Sequence, residues 1–295
     1  MRTVYLGTSE FAAAVLRRLA DSPHRPSLVV TRPDRPRGRG RKLNAPPVAD
    51  AARALGIELY QPEQVNDLEA RERIAEAHAA VICVCAFGAL IREPMLSEHE
   101  MLNVHPSLLP RWRGAAPIER AIMAGDELTG VSVMRLTAGL DSGPVCAQHS
   151  EPILPDDTYG TLAARLQEQG GELLVRVLDT RPTCHGQDEE GVTYADKLGP
   201  EDRELDPSQA ADDLERVVRA LTPHIGAHVT LPDGSSLGIR EASAIADGAV
   251  AAGVVAFDRP RPVLGCADGA LELLVVQPPG RRPMSGEEYL RGYGR

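Results

Sequence analysis

Residues 3–20, TVYLGTSEFAAAVLRRLA, read as a strand, a turn and a helix in succession. The apolar run 3–6 breaks at Gly7-Thr8-Ser9, and apolar residues then recur at helical spacing, with Ser9 placed as the N-cap. A strand feeding a helix at the start of a 295-residue chain predicts an α/β, Rossmann-like domain with room for a second domain behind it. The turn holds only Gly7 where dinucleotide binders carry G-x-G-x-x-G, so no NAD is inferred.

Outward from that unit, SLVVT (27–31) reads as a second strand, followed by a helix that stops near Gly56 and another near 67–78. The apolar stretch 80–85 is a third strand and MLNV (101–104) a further one. IERAIMAG (118–125) reads as a helix ending at Gly125, and TGVSVMRLT (129–137) alternates like a strand. PVCAQHSEPI (144–153) reads as a strand toward the sheet edge. A helix starts at Asp156-Asp157-Thr158, with Gly170-Gly171 expected to kink it. Residues 180–207, rich in proline, glycine and charge, read as a linker. A helix over 208–221 and short strand runs at 226–231, 235–243, 249–256, 262–266 and 270–277 predict a small β-barrel, OB-like. The expected organisation is an α/β domain over 1–180, a linker over 181–207 and a barrel over 208–295.

Composition narrows the function classes. No apolar run approaches the roughly 18 residues of a membrane span, and the start lacks the features of a signal peptide, so a cytoplasmic protein is expected. The net charge of −10 argues against a generally basic nucleic-acid binder. Residues 32–42, RPDRPRGRGRK, run against that trend, with five arginines and a lysine against one aspartate. On charge alone this is either a phosphate-binding element or a solvated loop. Of the five cysteines, Cys83 and Cys85 sit in an apolar run and read as core thiols. Cys146, Cys184 and Cys266 are far apart and lack zinc-ligand spacing.

Chemistry concentrates in NVHPSLLPRWRGAAP (103–117) and GLDSG (139–143). Residues i and i+2 of a strand share a face, so Asn103 and His105 point the same way. Turn residues around Asp141 can bring a carboxylate to them. An amide donor, a titratable ring and a carboxylate suit transfer of an acyl group to an amine: two donors meet the oxyanion, and the acid steadies the imidazolium or accepts the ammonium proton. No metal is required. Taken singly, each residue reads as a cap, a satisfied histidine or a turn aspartate.

NVHPSLLPRWRGAAPI, with Gly125-Asp126, TGVSVM (129–134) and GLDSG, resembles the folate-dependent formyltransferases. The resemblance implies a Rossmann-like formyltransferase domain and 10-formyltetrahydrofolate as cosubstrate. It implies catalysis by Asn103, His105 and Asp141. It also implies a folate site lined by Ser107, Leu108, Leu109 and Pro110 beside Phe87 and Gly88. Four segments are similar to members that formylate methionine on charged initiator tRNA: 4–19, the basic loop, TYADKL (193–198) and VVQPPGRRPMSGEEYLRG (275–292). For such a member Arg35, Arg37, Arg39, Arg41 and Lys42 contact tRNA and the C-terminal barrel helps hold it; oligomeric state is left open, with a monomer as the default expectation. Two features depart from the pattern. Pro207 follows Asp206 where a tryptophan is frequent, and residues from 201 onward carry a net −5. Amino-sugar formyltransferases and formyltetrahydrofolate hydrolases share the triad, and a non-catalytic tRNA-binding scaffold is a rival from another class.

Replacing Arg39 and Arg41 together with alanine is expected to raise KM for charged tRNA and leave the folate KM unchanged. Steady-state kinetics at two salt concentrations checks this; an unchanged tRNA KM and salt dependence removes the loop from tRNA binding.

Overall fold

The computed structural model describes residues 1–37, 42–246 and 248–293. They pack as two compact units, each assembled from separated stretches. The first comprises Met1–Gly114, Thr129–Pro152 and Ala163–Tyr194; the second comprises Ala115–Leu128, Ile153–Leu162 and Ala195–Arg295.

The first unit is built on β1 (Thr3–Gly7), α1 (Glu10–Ala20), β2 (Pro26–Val30), α2 (Pro47–Leu55), β3 (Glu58–Tyr60), α3 (Leu68–Ala75), β4 (Val81–Cys85), β5 (Met101–His105), β6 (Leu128–Arg135), β7 (Val145–Pro152) and α4 (Tyr159–Thr180). The seven strands form one sheet in the order β7-β6-β5-β4-β1-β2-β3. Strands β1 to β5 pair in parallel, and β6 runs antiparallel to β5. Ser9 caps α1, its hydroxyl accepting the N–H of Ala12 at 3.2 Å.

Both faces of the parallel strands are buried, which is why they read as unbroken apolar runs. Val4, Leu6, Leu28, Val30, Ile82, Val84 and Met101 line one face, packed with Ile74 of α3 and with Phe87. Tyr5, Val29, Cys83 and Cys85 alternate with them and are fully buried. The Tyr5 hydroxyl donates to Ala12 O of α1 at 2.6 Å. Burial pushes the thiols of Cys83 and Cys85 up to about 12, so both are core residues and inert as nucleophiles.

Gly170-Gly171 does not interrupt α4, which runs unbroken for 22 residues. A Cβ on Gly170 would lie 3.0 Å from Val104 Cγ1 of β5, and one on Gly171 would lie 2.7 Å from Arg18 Cβ of α1. The pair therefore serves close packing, where the sequence suggested a kink. Strand β3 went unforeseen because three residues carry no period.

In the second unit, α5 (Ala211–Leu221) packs with a six-stranded, largely antiparallel sheet. Its strands are β8 (Ala227–Thr230), β9 (Ser236–Ile245), β10 (Val255–Ala256), β11 (Val263–Gly265), β12 (Ala270–Gln277) and β13 (Met284–Ser285). The order is β8-β9-β12-β11-β10, with β13 on β12. Leu214, Val218 and Leu221 share a core with Leu237, Ile239, Leu271, Leu273 and Tyr289. The predicted strand over 249–256 shrinks to two residues because Gly253, at φ +82°, turns the chain. Tyr289 lies on α6 (Gly286–Tyr293), whose start is a capping box: Glu288 N donates to Ser285 Oγ, and Ser285 N donates to a Glu288 carboxylate oxygen. No helix of the described residues is long and apolar enough to cross a membrane.

Edge strand β7 is tied to α4 by Glu151, which accepts from Arg165 and Gln169. Burial raises the Glu151 pKa, but these two donors outweigh it and hold the group below the usual carboxylate range. Because the folded value is depressed, its contribution is complete above the unfolded value of about 4.3 and is lost as pH falls through the folded value. Urea midpoints measured from about pH 6 to about pH 3 should fall less steeply for Glu151→Gln than for the wild type, with the variant less stable at pH 6.

Candidate active site

The site forms where the apolar face of the sheet turns polar. Met101, Asn103 and His105 point to the face of Ile82 and Val84, and Val84 is in register with Asn103. Val104 points the other way, into the Gly170 contact. Asn103 and His105 thus lie at the carboxyl end of β5, the end where open α/β sheets bind ligands. Both are buried, at 8% and 4% exposure.

Two partners face the imidazole. His105 Nε2 lies 2.8 Å from Trp112 O, and His105 Nδ1 lies 3.7 Å from Asp141 Oδ2. The same Asp141 oxygen accepts the N–H of Gly114 at 2.9 Å. Asn103, His105 and Asp141, predicted together, thus belong to one end of one sheet. The second ring contact, to Trp112 O, was not foreseen. It depends on Trp112 standing at φ +62°, a conformation that no residue type announces. The Arg111 guanidinium sits 4.4 Å from the Trp112 ring centroid.

Residues 107–110 form a tightly held turn. Ser107 is fully buried; its hydroxyl donates to Arg111 O at 2.6 Å, and its N–H donates to His105 O at 2.9 Å. Ser132, in register with His105 on β6, donates from Oγ to Ser107 O at 2.6 Å and accepts Leu109 N–H at 3.1 Å. Gln148 of β7 donates to Leu109 O and to Ser132 Oγ, both at 2.9 Å. Leu109-Pro110 is a cis peptide, and Leu108 and Pro110 are half-buried. Ser132 and Gln148 escaped the sequence reading because they act from the neighbouring strands.

Phe87 and Gly88 follow β4 at the same sheet end. Thr8 Oγ1 donates to Phe87 O at 2.6 Å, and the Arg32 guanidinium donates to Gly88 O. Phe87 is buried and Gly88 exposed. Beyond Arg32 the basic segment is more ordered than a loop: Arg35–Arg37 pairs antiparallel with Lys42–Asn44, in the register Arg35↔Asn44 and Arg37↔Lys42. Arg35 is exposed. Arg39 and Arg41 lie outside the described residues.

A strap over 184–193 was read only as linker. Gln187 Nε2 donates to Asp141 O and Gly143 O, both at 2.8 Å, and Gln187 Oε1 accepts from Arg113 Nε at 3.0 Å. Thr193 accepts Trp112 N–H on Oγ1 and Arg113 N–H on its carbonyl, both at 2.9 Å. Arg113, 5% exposed, therefore fixes the loop from inside. Cys146 and Cys184, which the sequence left unpaired, form a disulfide.

An amide, an imidazole and a carboxylate thus gather beside a rigid turn on an α/β scaffold, a set of groups that suits group transfer. Residues 1–178 match the family described as formyl transferase, and residues 197–294 match its C-terminal domain. The chain belongs to the formyl transferase family. It is 42% identical over 301 residues to a methionyl-tRNA formyltransferase of Methylococcus capsulatus, covering 99% of this chain and 97% of that protein. It is 41% identical over 300 residues to a protein of the same name from Neisseria gonorrhoeae, with the same coverage. Among solved structures, HypX from Aquifex aeolicus in complex with tetrahydrofolic acid superposes with a TM-score of 0.67 at 18% identity; the match covers 98% of this chain and 47% of HypX. The sequence predicted a Rossmann-like formyltransferase domain with a small C-terminal β-barrel, OB-like; the structure has that first domain and a second built on a six-stranded antiparallel sheet.

Ser132→Ala removes a buried donor and acceptor together. It should cost about 1–3 kcal/mol of stability, the usual scale for stranding buried polar groups. Urea unfolding checks this, with the midpoint lowered and the slope unchanged.

Proposed function

We propose that this chain transfers the formyl group of 10-formyltetrahydrofolate to the free amino group of methionine on charged initiator tRNA, an enzymatic step of translation initiation. One observation carries the reading: the likeness to relatives named methionyl-tRNA formyltransferase runs through 99% of the chain and leaves no stretch for a different acceptor domain. The site at β5 supplies fitting chemistry.

On this reading the methionine nitrogen attacks the formyl carbon and a C–N bond forms. The Asn103 amide and the His105 ring donate to the resulting oxyanion, and imidazolium charge compensates it. Asp141 faces that ring across 3.7 Å and takes up the ammonium proton, directly or through a water. Collapse of the adduct breaks the bond to the folate N10, which leaves with a proton. Ser107, Leu108, Leu109 and Pro110, with Phe87 and Gly88, line the folate site. Apolar side chains carried on two firmly held turns suit the faces of a heteroaromatic ring.

Arg35, Arg37, Arg39, Arg41 and Lys42 bind the tRNA. Residues 1–180 carry catalysis, 181–207 connect, and 208–295 help hold the tRNA. The protein works as a cytoplasmic monomer.

Transfer of radiolabelled formyl from 10-formyltetrahydrofolate to methionine-charged initiator tRNA tests the whole reading. Label should appear on the aminoacyl-tRNA. Folate turnover without it assigns a hydrolase, and transfer only to a nucleotide amino sugar assigns a sugar enzyme. Asn103→Ala, His105→Ala and Asp141→Asn should each lower kcat by at least about a hundredfold, the scale for losing an oxyanion donor or acid–base partner. Near-normal turnover in any one of them removes that residue from the mechanism.

A further inference from the structure

The disulfide stands in an unexpected place for an enzyme of translation. Compartments that make protein keep thiols reduced, and disulfides found there are mostly transient and regulatory. Cys146 is the second residue of β7, just after the Asp141 loop, and Cys184 opens the strap that holds that loop. Val145 and His185 reinforce the join with two backbone hydrogen bonds of 2.8 and 2.9 Å. Three residues beyond Cys184, Gln187 grips Asp141 O and Gly143 O on one side and Arg113 on the other. At the far end of the strap Thr193 holds Trp112 and Arg113. The Gly114 N–H that seats the Asp141 carboxylate, and the Trp112 carbonyl that meets His105, therefore sit in loops held by a single strap. One end of that strap is fastened covalently. The strap also falls between the two family matches, which end at 178 and resume at 197.

The sulfurs are reachable. Cys184 is half-exposed and Cys146 is 9% exposed, and both line a cavity of about 140 Å³ with Glu100, Arg135 and Arg181. Glu100 lies 3.8 Å from Arg135 and 2.6 Å from Arg181, so one carboxylate stands against two guanidinium groups. The surplus positive charge favours a Cys184 thiolate and an acidic small-molecule thiol as its partner.

We propose that Cys146 and Cys184 are a reversible thiol–disulfide couple that sets the position of Asp141 through Gln187, so that the transfer rate follows the thiol redox state. The rate effect and the reducing surroundings rest on the proposed function; the bond between the two cysteines does not. In the oxidising direction the Cys184 thiolate attacks a low-molecular-weight disulfide, forming a mixed disulfide and releasing one thiolate. The Cys146 thiolate then attacks Cys184 Sγ, the protein disulfide forms, and the second small thiolate leaves. Two protein thiols are oxidised, one small disulfide is reduced to two thiols, and the two protons pass to the released thiolates. In the reducing direction a small thiolate attacks the more exposed Cys184 Sγ and the buried Cys146 thiolate leaves; a second small thiolate then attacks the small-molecule sulfur of the mixed disulfide, releasing the Cys184 thiolate and the small disulfide.

The full-length chain is equilibrated at several ratios of reduced to oxidised glutathione, and its free thiols are counted by alkylation and mass spectrometry. Hydrogen exchange is then read over 139–145 and 185–193, with kinetics on charged tRNA in parallel. Reduction should raise exchange in both segments by at least about tenfold. It should lower kcat by about tenfold to a hundredfold, as misplaced catalytic groups do, with tRNA KM unchanged. A Cys146→Ser, Cys184→Ser double variant should match the reduced form at every ratio. Gln187→Ala should show the low kcat in both states while the disulfide still forms. Exchange that is equal in the two states overturns the proposal, as does a disulfide that forms at no ratio. Exchange that responds while no formyl reaches charged tRNA upholds the couple and defeats the assigned acceptor.

Discussion

Val104 must lie against α4, and much of the candidate site follows from that one contact. The Gly170-Gly171 pair lets the helix approach until Val104 Cγ1 would be 3.0 Å from an added Cβ. Strand alternation then leaves Asn103 and His105 no choice of side. They take the face that Met101 and Ile82 begin as hydrocarbon, at the point where the strand leaves its apolar partners. A slip of one residue in β5 would bury the imidazole under α4 and expose Val104 to the site. Apolar packing on one face thus fixes polar geometry on the other, without a catalytic residue having to stabilise the sheet.

Around that fixed strand the loops are held under local backbone cost. Ala86, Trp112 and Asp141 are non-glycine residues at φ +41°, +62° and +44°, and each belongs to a loop at the candidate site. Such positions cost of order 1–3 kcal/mol each and persist only where neighbours over-determine them. The neighbours here are identifiable. Asp141 is held by Gln187 from behind and by Gly114 N–H in front, and Trp112 by Thr193 and by its carbonyl contact with His105. Ser132 and Gln148 hold the adjacent turn from the strands behind it. Nearly all of this support comes from residues distant in sequence, so the loops keep their shape only while the strap and the edge strands are in place.

That distance explains which features were legible in the sequence. The parallel strands were, because burial on both faces leaves continuous apolar runs; the helices were, because one buried stripe imposes a period. Asn103, His105 and Asp141 were legible because two of them share a strand and the third ends a distinctive turn. Strand β3 and the two-residue β10 were too short to carry a period. Helix α6 announced itself in Ser285 and Glu288, a capping box passed over among turn residues. Gln187, Thr193 and the Cys146–Cys184 bridge could not be read at all. A linker rich in charge and glycine looks the same whether it is solvated or laid across an active site. A pair of cysteines 38 positions apart says nothing of pairing until the fold brings them together.

An acidic chain proposed to bind a polyanion faces a constraint that its site chemistry does not. With a net charge of −10, and −5 from residue 201 onward, the chain as a whole is repelled by tRNA. Attraction must then come from few positions, and the paired segment rooted at Arg32 concentrates it. Arg32 itself holds Gly88 O, on the loop assigned to folate, so the root of the basic element and the folate loop share one anchor. On the proposed function, a charge cluster rooted at the folate loop of an acidic protein directs a long anionic ligand by exclusion as much as by contact. The acceptor end is, on the proposed function, the part of a charged tRNA that must reach Asn103 and His105. Gathering five arginines and a lysine into one short segment then lets, on the proposed function, an acidic protein favour that end over nucleic acid at large.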